Sequence, residues 1–293
     1  MSSPKIASIV VNYNTGSLLC DCIGALLMGP SELIVVADNS SSDGSMELIK
    51  EKFHNEIDTS RLVLRSMVGN LGYGRAINEV SKDLLGFDLF ICNPDCVISG
   101  DALLELSSFK ERTNVAIAGP LIKNSDGEIY PSVRRFPSLA VSAFHAVLGQ
   151  LWRNNPFSRR YHSIENESVG DDRWISGAAM LISSDLFREV GGFDERYFMF
   201  MEDVDLCRRI IAKGYDIGHD REAVAIHYQG RSSSSRPYFV AYMHHRSLLI
   251  YSSSTLLGYK ALALPLVGVG VVLRFLITIA VTRYRRFLEG RTL

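Results

Sequence analysis

Apolar segments typical of β-strands alternate with helical segments along the first 110 residues. The predicted strands lie at 6–11, 32–37, 61–65 and 87–92. The predicted helices lie at 16–28, 45–53, 74–85 and 101–110. Strands that alternate with helices of about ten residues or more form right-handed βαβ units. The alternation therefore predicts an α/β, Rossmann-like fold with a mainly parallel central sheet.

Polar or glycine-rich residues follow each of the four predicted strands. Ligands of open α/β sheets bind at the carboxyl ends of the strands, so these residues are candidates for a binding site. They are Asn12, Tyr13 and Asn14 after the first strand, Asp38 after the second, Gly69, Asn70, Gly72 and Gly74 after the third, and Asn93 and Asp95 after the fourth. Ordinary turns use the same residue types, but four such turns at the four predicted places favour a site. Neither a P-loop nor a Gly-x-Gly-x-x-Gly motif follows the first strand.

The overall composition is that of an ordinary globular protein. The chain has 293 residues, of which 47% are hydrophobic and 22% charged, and its formal net charge is -1. These values exclude a disordered chain, and the charge argues against a nucleic-acid partner. Five scattered cysteines without Cys-x-x-Cys spacing predict buried, reduced thiols.

Three acidic residues, Glu202, Asp203 and Asp205, open a predicted helix in the second half of the chain. Acids are common at helix N-termini because they complement the helix dipole, so a solvated helix cap is one explanation. The aromatic residues just before them would partly desolvate the carboxylates, and a raised carboxyl pKa suits a general base.

The order and spacing of these motifs resemble family 2 glycosyltransferases of the GT-A fold, in particular bacterial rhamnosyltransferases of O-antigen and cell-wall polysaccharide synthesis. The resemblance covers about residues 5–251. Its motifs are at 9–14, 38–45, 69–72, 93–95, 174–178, 192–194 and 200–206.

The resemblance implies a role for each matching residue. Val11 and Tyr13 would border the nucleotide base, to which Asp38 would hydrogen-bond. The residues that would hold the rest of the nucleotide-sugar are Asn70, Gly72, Arg75 and Asn93. Asp95 would bind a divalent ion, Mg2+ or Mn2+, with His227 as a second ligand. Asp203 would be the catalytic base beside Glu202, and the acceptor would meet Trp174. Independently of the resemblance, basic residues that flank the site in sequence suit the diphosphate of a lipid-linked acceptor, namely Arg134, Arg135, Arg231, Arg236, His244, His245 and Arg246.

Two departures from the family pattern affect these roles. Asn93 replaces the first acid of the Asp-x-Asp motif, so one carboxylate would do the metal work. The sequence after His227 is not the Gln-x-x-Arg-Trp motif of processive synthases, which argues against a polymerising enzyme. His227 is also open to a purely structural role, and Arg134 and Arg231 to surface ion pairs.

The C-terminal segment is apolar and basic. Residues 261–273 contain no polar side chain, Arg274 interrupts the run, and three arginines follow within 283–286. A transmembrane helix needs about 20 apolar residues, an arginine near mid-membrane is unfavourable, and Pro265, Gly268 and Gly270 should weaken a straight helix. We therefore expect an in-plane or re-entrant helix on anionic lipid, with a core helix, an oligomer contact and a true span as alternatives.

These expectations combine into one predicted function. Residues 1–235 would form the GT-A domain and 236–293 a helical, membrane-associated region. The enzyme would transfer L-rhamnose from dTDP-L-rhamnose, with inversion, to a polyprenyl-diphosphate-linked saccharide at the cytoplasmic face of the bacterial inner membrane, as a peripheral or monotopic protein. The alternatives are another UDP- or GDP-sugar, a nucleotidyltransferase and a non-catalytic sugar-nucleotide binding protein.

Overall fold

The structure, a computed structural model, describes residues 5–136, 168–228 and 236–289. Its strands are β1 (Ile6–Asn12), β2 (Ser31–Asp38), β3 (Leu62–Ser66), β4 (Asp88–Cys92), β5 (Cys96–Ile98), β6 (Ile117–Asn124), β7 (Ile129–Tyr130), β8 (Val133–Arg135), β9 (Val169–Gly170), β10 (Arg173–Ile175), β11 (Ala179–Ser183) and β12 (Ile217–His227). Its helices are α1 (Leu18–Leu27), α2 (Ser45–Lys52), α3 (His54–Asp58), α4 (Tyr73–Ser81), α5 (Gly100–Thr113), α6 (Ser184–Glu189), α7 (Glu202–Ile211), α8 (Pro237–Thr255) and α9 (Leu264–Glu289).

The central sheet has the strand order β3-β2-β1-β4-β11-β6-β12-β5. The first four strands of this order pair in parallel, while β11 runs antiparallel between β4 and β6. Because β1 lies between β2 and β4, the chain reverses its winding direction there, and such a switch point opens a crevice at the strand ends. The α/β fold with a mainly parallel sheet is confirmed.

The strand register aligns the polar strand ends along one edge of the sheet. Asn12 lies opposite Asp38, and Asp38 lies opposite Ser66. Val10 pairs with Cys92 at the end of β4, which places the turn at 93–95 beside the end of β1. The sheet therefore gathers the polar residues after the first four strands, as the alternation predicted.

Apolar side chains pack on both faces of the sheet. β1 is buried throughout, and alternate residues of it enter the two hydrophobic clusters. All five cysteines are free and buried, as expected. Helix α4 ends earlier than predicted, at Ser81, because the chain turns through Gly86 (φ 79°) to enter β4.

The C-terminal helices form an antiparallel pair that lies against the α/β body. Phe275 of α9 packs on Tyr242 and His245 of α8, with ring centroids 6.3 and 5.4 Å apart, and Arg286 lies 5.7 Å from the Tyr238 ring. Of the described helices, one stretch is long and apolar enough to cross a membrane, Gly258–Leu288.

Helix α9 runs without a break, contrary to the expectation that Pro265, Gly268 and Gly270 would weaken it. Pro265 is the second residue of the helix, where a missing N–H breaks no helical hydrogen bond. The two glycines follow within the next two turns, where neighbouring apolar residues continue the helix.

Candidate active site

The side chain of Asn12 connects the ends of the first two strands. Its amide nitrogen donates to Asp38 Oδ1 at 3.0 Å and lies 3.0 and 2.9 Å from the hydroxyls of Ser41 and Ser45. The other Asp38 oxygen accepts the Ser41 N–H at 3.2 Å. Each carboxylate oxygen has a second lone pair, so Asp38 can still accept a hydrogen bond from a nucleotide base. Val11 is buried and Tyr13 half-buried beside it.

Asn39 joins the second strand end to the glycine loop. Its amide nitrogen donates to the Gly72 carbonyl oxygen at 3.1 Å, and its oxygen accepts the Leu71 N–H at 3.4 Å. Gly72 adopts φ 87°, and a Cβ there would overlap the carbonyl of Phe198. Asn70 caps the same turn by accepting the Gly72 N–H at 3.0 Å. Gly72 is therefore required for contact with the protein's own backbone.

The two predicted metal ligands lie together. His227 Nε2, at the end of β12, is 2.9 Å from Asp95 Oδ1, and the Asn93 side-chain nitrogen is 3.4 Å from the same Nε2. The backbone holds the pair in place, because the Tyr228 N–H donates to the Asp95 carbonyl at 2.8 Å. Asp95 and His227 are 132 residues apart in sequence and meet because β12 pairs with β5.

This donor set fits a divalent cation that keeps open positions for a substrate. The Asp95 carboxylate and the His227 imidazole are hydrogen-bonded to each other, and both are side-chain types that can bind a divalent ion such as Mn2+. Within the described ranges no cluster of three His, Cys, Asp or Glu side chains occurs. Such an ion would take its other ligands from water and diphosphate oxygens, as Mg2+ commonly does.

A short segment, 176–178, connects the turn that carries Asp95 to the acidic pair, Glu202 and Asp203. The Asn93 N–H donates to the Ala178 carbonyl at 3.0 Å, and the Gly177 N–H donates to Asp203 Oδ2 at 2.9 Å. Tyr73, the first residue of α4, donates its hydroxyl to the Gly177 carbonyl at 2.6 Å. Burial raises the pKa of Tyr73 well above its ordinary value, so this hydroxyl keeps its proton. The segment therefore fixes the distance between the two halves of the site.

Asp203 and Glu202 occupy different environments at the start of α7. Asp203 is half-buried and accepts two backbone N–H groups, from Gly177 and, at 2.8 Å, from Val204. Glu202 is 6% exposed, and its Oε2 is buried without a hydrogen-bond partner among the described residues. Of the two carboxyl groups, Asp203 is thus the one whose charge the backbone stabilises.

The pKa values of both carboxyl groups are raised. Burial, together with the charge of Asp203, raises the pKa of Glu202 to about 8. Burial also raises the pKa of Asp203, while the Gly177 and Val204 N–H groups and the Arg134 charge act in the opposite direction. At neutral pH Glu202 therefore carries its proton, and different surroundings distinguish the two neighbouring carboxyl groups.

Asp205 has a structural role. Its buried carboxylate accepts from Arg208 at 2.9 Å and from Arg209 at 2.6 Å. Arg209 also donates to the carbonyl oxygens of Val190 and Gly192, so it joins α7 to the preceding loop.

Arg134 and Trp174, both predicted to meet the acceptor, pair directly between β8 and β10. The Arg134 guanidinium lies 5.2 Å from the Trp174 ring, and Trp174 donates its indole N–H to the Arg135 carbonyl at 3.2 Å. The Trp174 ring is buried, and the Arg134 guanidinium packs on its face. The charge of Arg134 also lowers the pKa of Asp203. Arg231 lies outside the described residues.

Arg75 is the remaining residue that was predicted to bind the nucleotide-sugar. Arg75 is exposed on α4 and its Nε is 3.5 Å from a carboxylate oxygen of Glu195. The sequence does not single out Asn39, Tyr73 or Gly177 for a role, although Asn39 and Gly177 lie inside identified motifs and Tyr73 directly follows one. Their hydrogen bonds cross between loops distant in sequence, and no local pattern signals such bonds.

Known proteins resemble the chain in both sequence and fold. The family model described as glycosyltransferase like family 2 matches residues 4–239. An N-acetylglucosaminyl-diphospho-decaprenol L-rhamnosyltransferase of Mycobacterium tuberculosis is 34% identical over 260 residues, covering 83% of this chain and 82% of the relative. The rhamnosyltransferase WbbL of Escherichia coli is 30% identical over 149 residues, covering 50% of this chain and 54% of the relative.

Solved structures share the fold at low sequence identity. A mannosyltransferase from Pyrobaculum calidifontis, solved with GDP-mannose and Mn2+, has a TM-score of 0.63 at 15% identity and covers 100% of this chain and 81% of its own. TarS residues 1–349 of S. aureus, solved with UDP, has a TM-score of 0.54 at 15% identity and covers 84% of this chain and 65% of its own. These neighbours support the GT-A fold, and the matched family model and the rhamnosyltransferase relatives show that the chain belongs to glycosyltransferase family 2 and is a glycosyltransferase.

Proposed function

We propose that the enzyme transfers L-rhamnose from dTDP-L-rhamnose, with inversion, to a hydroxyl group of a lipid-diphosphate-linked saccharide. The observation that carries the proposal is the placement of Asp203. Its carboxyl group has a raised pKa and accepts the Gly177 N–H, and the same 176–178 segment accepts the N–H of Asn93, next to the predicted metal ligands. The mycobacterial relative, named for rhamnosyl transfer to N-acetylglucosaminyl-diphospho-decaprenol, supports this choice of sugar and acceptor.

Each group of residues has a distinct part in the transfer. The nucleotide would lie across the strand ends, with Val11 and Tyr13 at the base, Asp38 as its hydrogen-bond acceptor, and Asn70, Gly72, Arg75 and Asn93 along the ribose and diphosphate. Asp203 would take the proton of the acceptor hydroxyl as its oxygen attacks the anomeric carbon. Because the neighbouring Glu202 is protonated at neutral pH, Asp203 has no second negative charge beside it.

Asp95 and His227 are the residues that would hold Mg2+ or Mn2+. When bound, the ion would offset the negative charge that develops on the departing diphosphate. The Mn2+ in the mannosyltransferase neighbour supports this assignment.

Trp174, Arg134 and Arg231 would form the acceptor side, and residues 236–293 would attach the enzyme to the membrane. An apolar stripe at spacings of three and four residues faces outward on α9, from Leu266 through Val269, Leu273 and Leu276 to Tyr284. The opposite face of α9 packs on α8. A helix with one face on protein and the other apolar is suited to lie in the plane of the bilayer, at the cytoplasmic face where nucleotide-sugars are found.

The experiment is nucleoside diphosphate release from dTDP-, UDP- and GDP-sugars, with polyprenyl-diphosphate N-acetylglucosamine as acceptor. We expect dTDP-L-rhamnose to be preferred and the anomeric configuration of the product to be inverted, as read by NMR. Asp203→Asn should lower transfer about 100- to 10,000-fold while donor affinity is kept. A preferred UDP- or GDP-sugar would refute the donor assignment, and a near-normal rate in Asp203→Asn would refute the base.

A further inference from the structure

Arg274 lies in the middle of the apolar helix α9, yet it faces the α8 histidines rather than the outward stripe. Its neighbour Phe275 packs on His245 with ring centroids 5.4 Å apart. Its charge lowers the pKa values of both His244 and His245. An arginine in such an apolar helix is unfavourable unless the protein uses it, so its position on the protein side calls for a function.

A row of ring contacts leads from Phe275, the neighbour of Arg274, to the segment just before the acidic pair. His245 contacts His244 with ring centroids 5.5 Å apart, and His244 contacts Phe200 at the same distance. Phe200 precedes the acidic pair by two residues in the chain.

Arg134 reaches the same row from the other side. It lies on the Trp174 ring, and its charge lowers the pKa values of both His244 and Asp203. Two arginines and two histidines therefore border one region next to the catalytic base.

His245 adds a polar atom that the described structure does not satisfy. Its Nδ1 donates to the Ala241 carbonyl oxygen at 2.7 Å, which fixes the tautomer of the neutral ring. Its Nε2 is buried and has no hydrogen-bond partner within the described ranges, and the residue is 6% exposed. A buried polar atom without a partner is unfavourable, and an anion bound here would favour the protonated ring, whose Nε2–H can donate to it.

We propose that Arg274, His245, His244 and Arg134 bind the diphosphate of the lipid-linked acceptor. This inference rests on the proposed function, because it names the residues that would recognise that acceptor. Guanidinium groups suit diphosphate oxygens, with which they form bidentate, charge-assisted hydrogen bonds. With the diphosphate held by these four residues, the lipid tail can follow the apolar face of α9 while the sugar reaches Asp203.

The same placement bears on the orientation of α9. Arg274 is the eleventh residue of the helix, about 15 Å from its start at 1.5 Å per residue. In a helix that crossed the bilayer it would lie near the middle of the roughly 30 Å hydrocarbon layer, far from any diphosphate. The proposal therefore requires α9 to lie at the membrane surface.

The test compares an acceptor that carries a diphosphate with one that does not. The full-length enzyme in neutral phosphatidylcholine vesicles is assayed with farnesyl-diphosphate N-acetylglucosamine and with octyl N-acetylglucosaminide. We expect Arg274→Gln to raise KM for the diphosphate acceptor about 10-fold. Its kcat, and its KM for octyl N-acetylglucosaminide, should stay within about 2-fold of the wild-type values. Lys260→Gln removes one charge from an exposed position of the same tail and should change neither KM.

Farnesyl diphosphate supplies a second readout. It should inhibit wild type competitively against the acceptor, and about 10-fold less strongly in Arg274→Gln. Arg274→Lys, which keeps the charge, should give intermediate values and serves if the glutamine variant does not fold.

An Arg274→Gln variant that loses activity equally with both acceptors would overturn the inference. So would a variant whose only defect is weaker binding to phosphatidylglycerol vesicles, because Arg274 would then contact lipid headgroups. A wild-type enzyme that transfers to neither acceptor would instead refute the proposed function, and the inference with it.

Discussion

Glu202→Gln should stabilise the protein, and by more as the pH rises. The carboxyl group titrates near 4.5 when exposed and near 8 in the folded protein, because burial and the Asp203 charge disfavour its ionised form. Between these values the folded chain holds a proton that the unfolded chain has released. The free energy of unfolding therefore falls by about 1.4 kcal/mol for each pH unit between them.

The magnitude follows from this difference in proton binding. At pH 5, about half a pH unit above the pKa of the exposed carboxyl group, the buried Glu202 lowers the free energy of unfolding by about 1 kcal/mol. At pH 8 it reaches about 4 kcal/mol, as an upper figure for a pair of neighbouring carboxyl groups. Glutamine has the shape of the neutral acid but does not titrate, so the substitution removes this penalty.

The assay is urea unfolding of the full-length protein in a mild detergent at pH 5, 6, 7 and 8. We expect the stability gained by Glu202→Gln to grow by a few kcal/mol from pH 5 to pH 8. This growth does not depend on how well the glutamine amide packs. Glu189→Gln is the control, because Glu189 is exposed in a surface pair with Lys213. Curves for wild type and Glu202→Gln that stay parallel across the pH range would refute the reasoning.

Three further substitutions examine other parts of the site and the core. Gly72→Ala should lower the free energy of unfolding by at least about 2 kcal/mol in chemical denaturation. Gly69 has a similar positive φ but open space around it, so Gly69→Ala should lower the free energy of unfolding by less. Equal losses in the two variants would show that the overlap at Gly72 does not destabilise the protein. His227→Ala should weaken Mn2+ binding about 10- to 100-fold by calorimetry, and unchanged affinity would remove it from the metal site. Lys110→Met should lower the free energy of unfolding by about 3–5 kcal/mol in chemical denaturation, because it leaves the buried Asp88 carboxylate without its ion pair. The double variant with Asp88→Asn should recover part of this loss.

The sheet and its strand-end site could be predicted because both depend on local patterns. A buried strand is an apolar run, and the residue that follows it in a parallel sheet must lie at the ligand-binding edge. The strand pattern alone therefore predicts that Asp38 and Asp95 lie at this edge. The pairing of Asp95 with His227 needed the family resemblance, because it depends on the pairing of β12 with β5.

The division of labour among the three acids could not be derived from their sequence. Glu202, Asp203 and Asp205 have similar local surroundings in the chain. Their differences come from tertiary contacts: two arginines on Asp205, two backbone N–H groups on Asp203, and no partner for Glu202 Oε2 among the described residues. The supporting role of the Trp174 ring beneath Arg134 likewise depends on the pairing of β8 with β10.

The backbone before the acidic pair has a practical consequence for shortening the protein. Phe200 and Met201 both adopt left-handed conformations, with φ 66° and 68°, which non-glycine residues hold only when their surroundings impose them. Helix α8 contributes to this restraint, since Ser247 donates to the Met199 carbonyl and Arg246 to the Arg196 carbonyl, both at 2.8 Å. A chain cut before Pro237 to gain solubility would release this loop. A loss of activity in the shortened protein would then reflect a relaxed loop before Glu202 and Asp203, even in an assay without lipid.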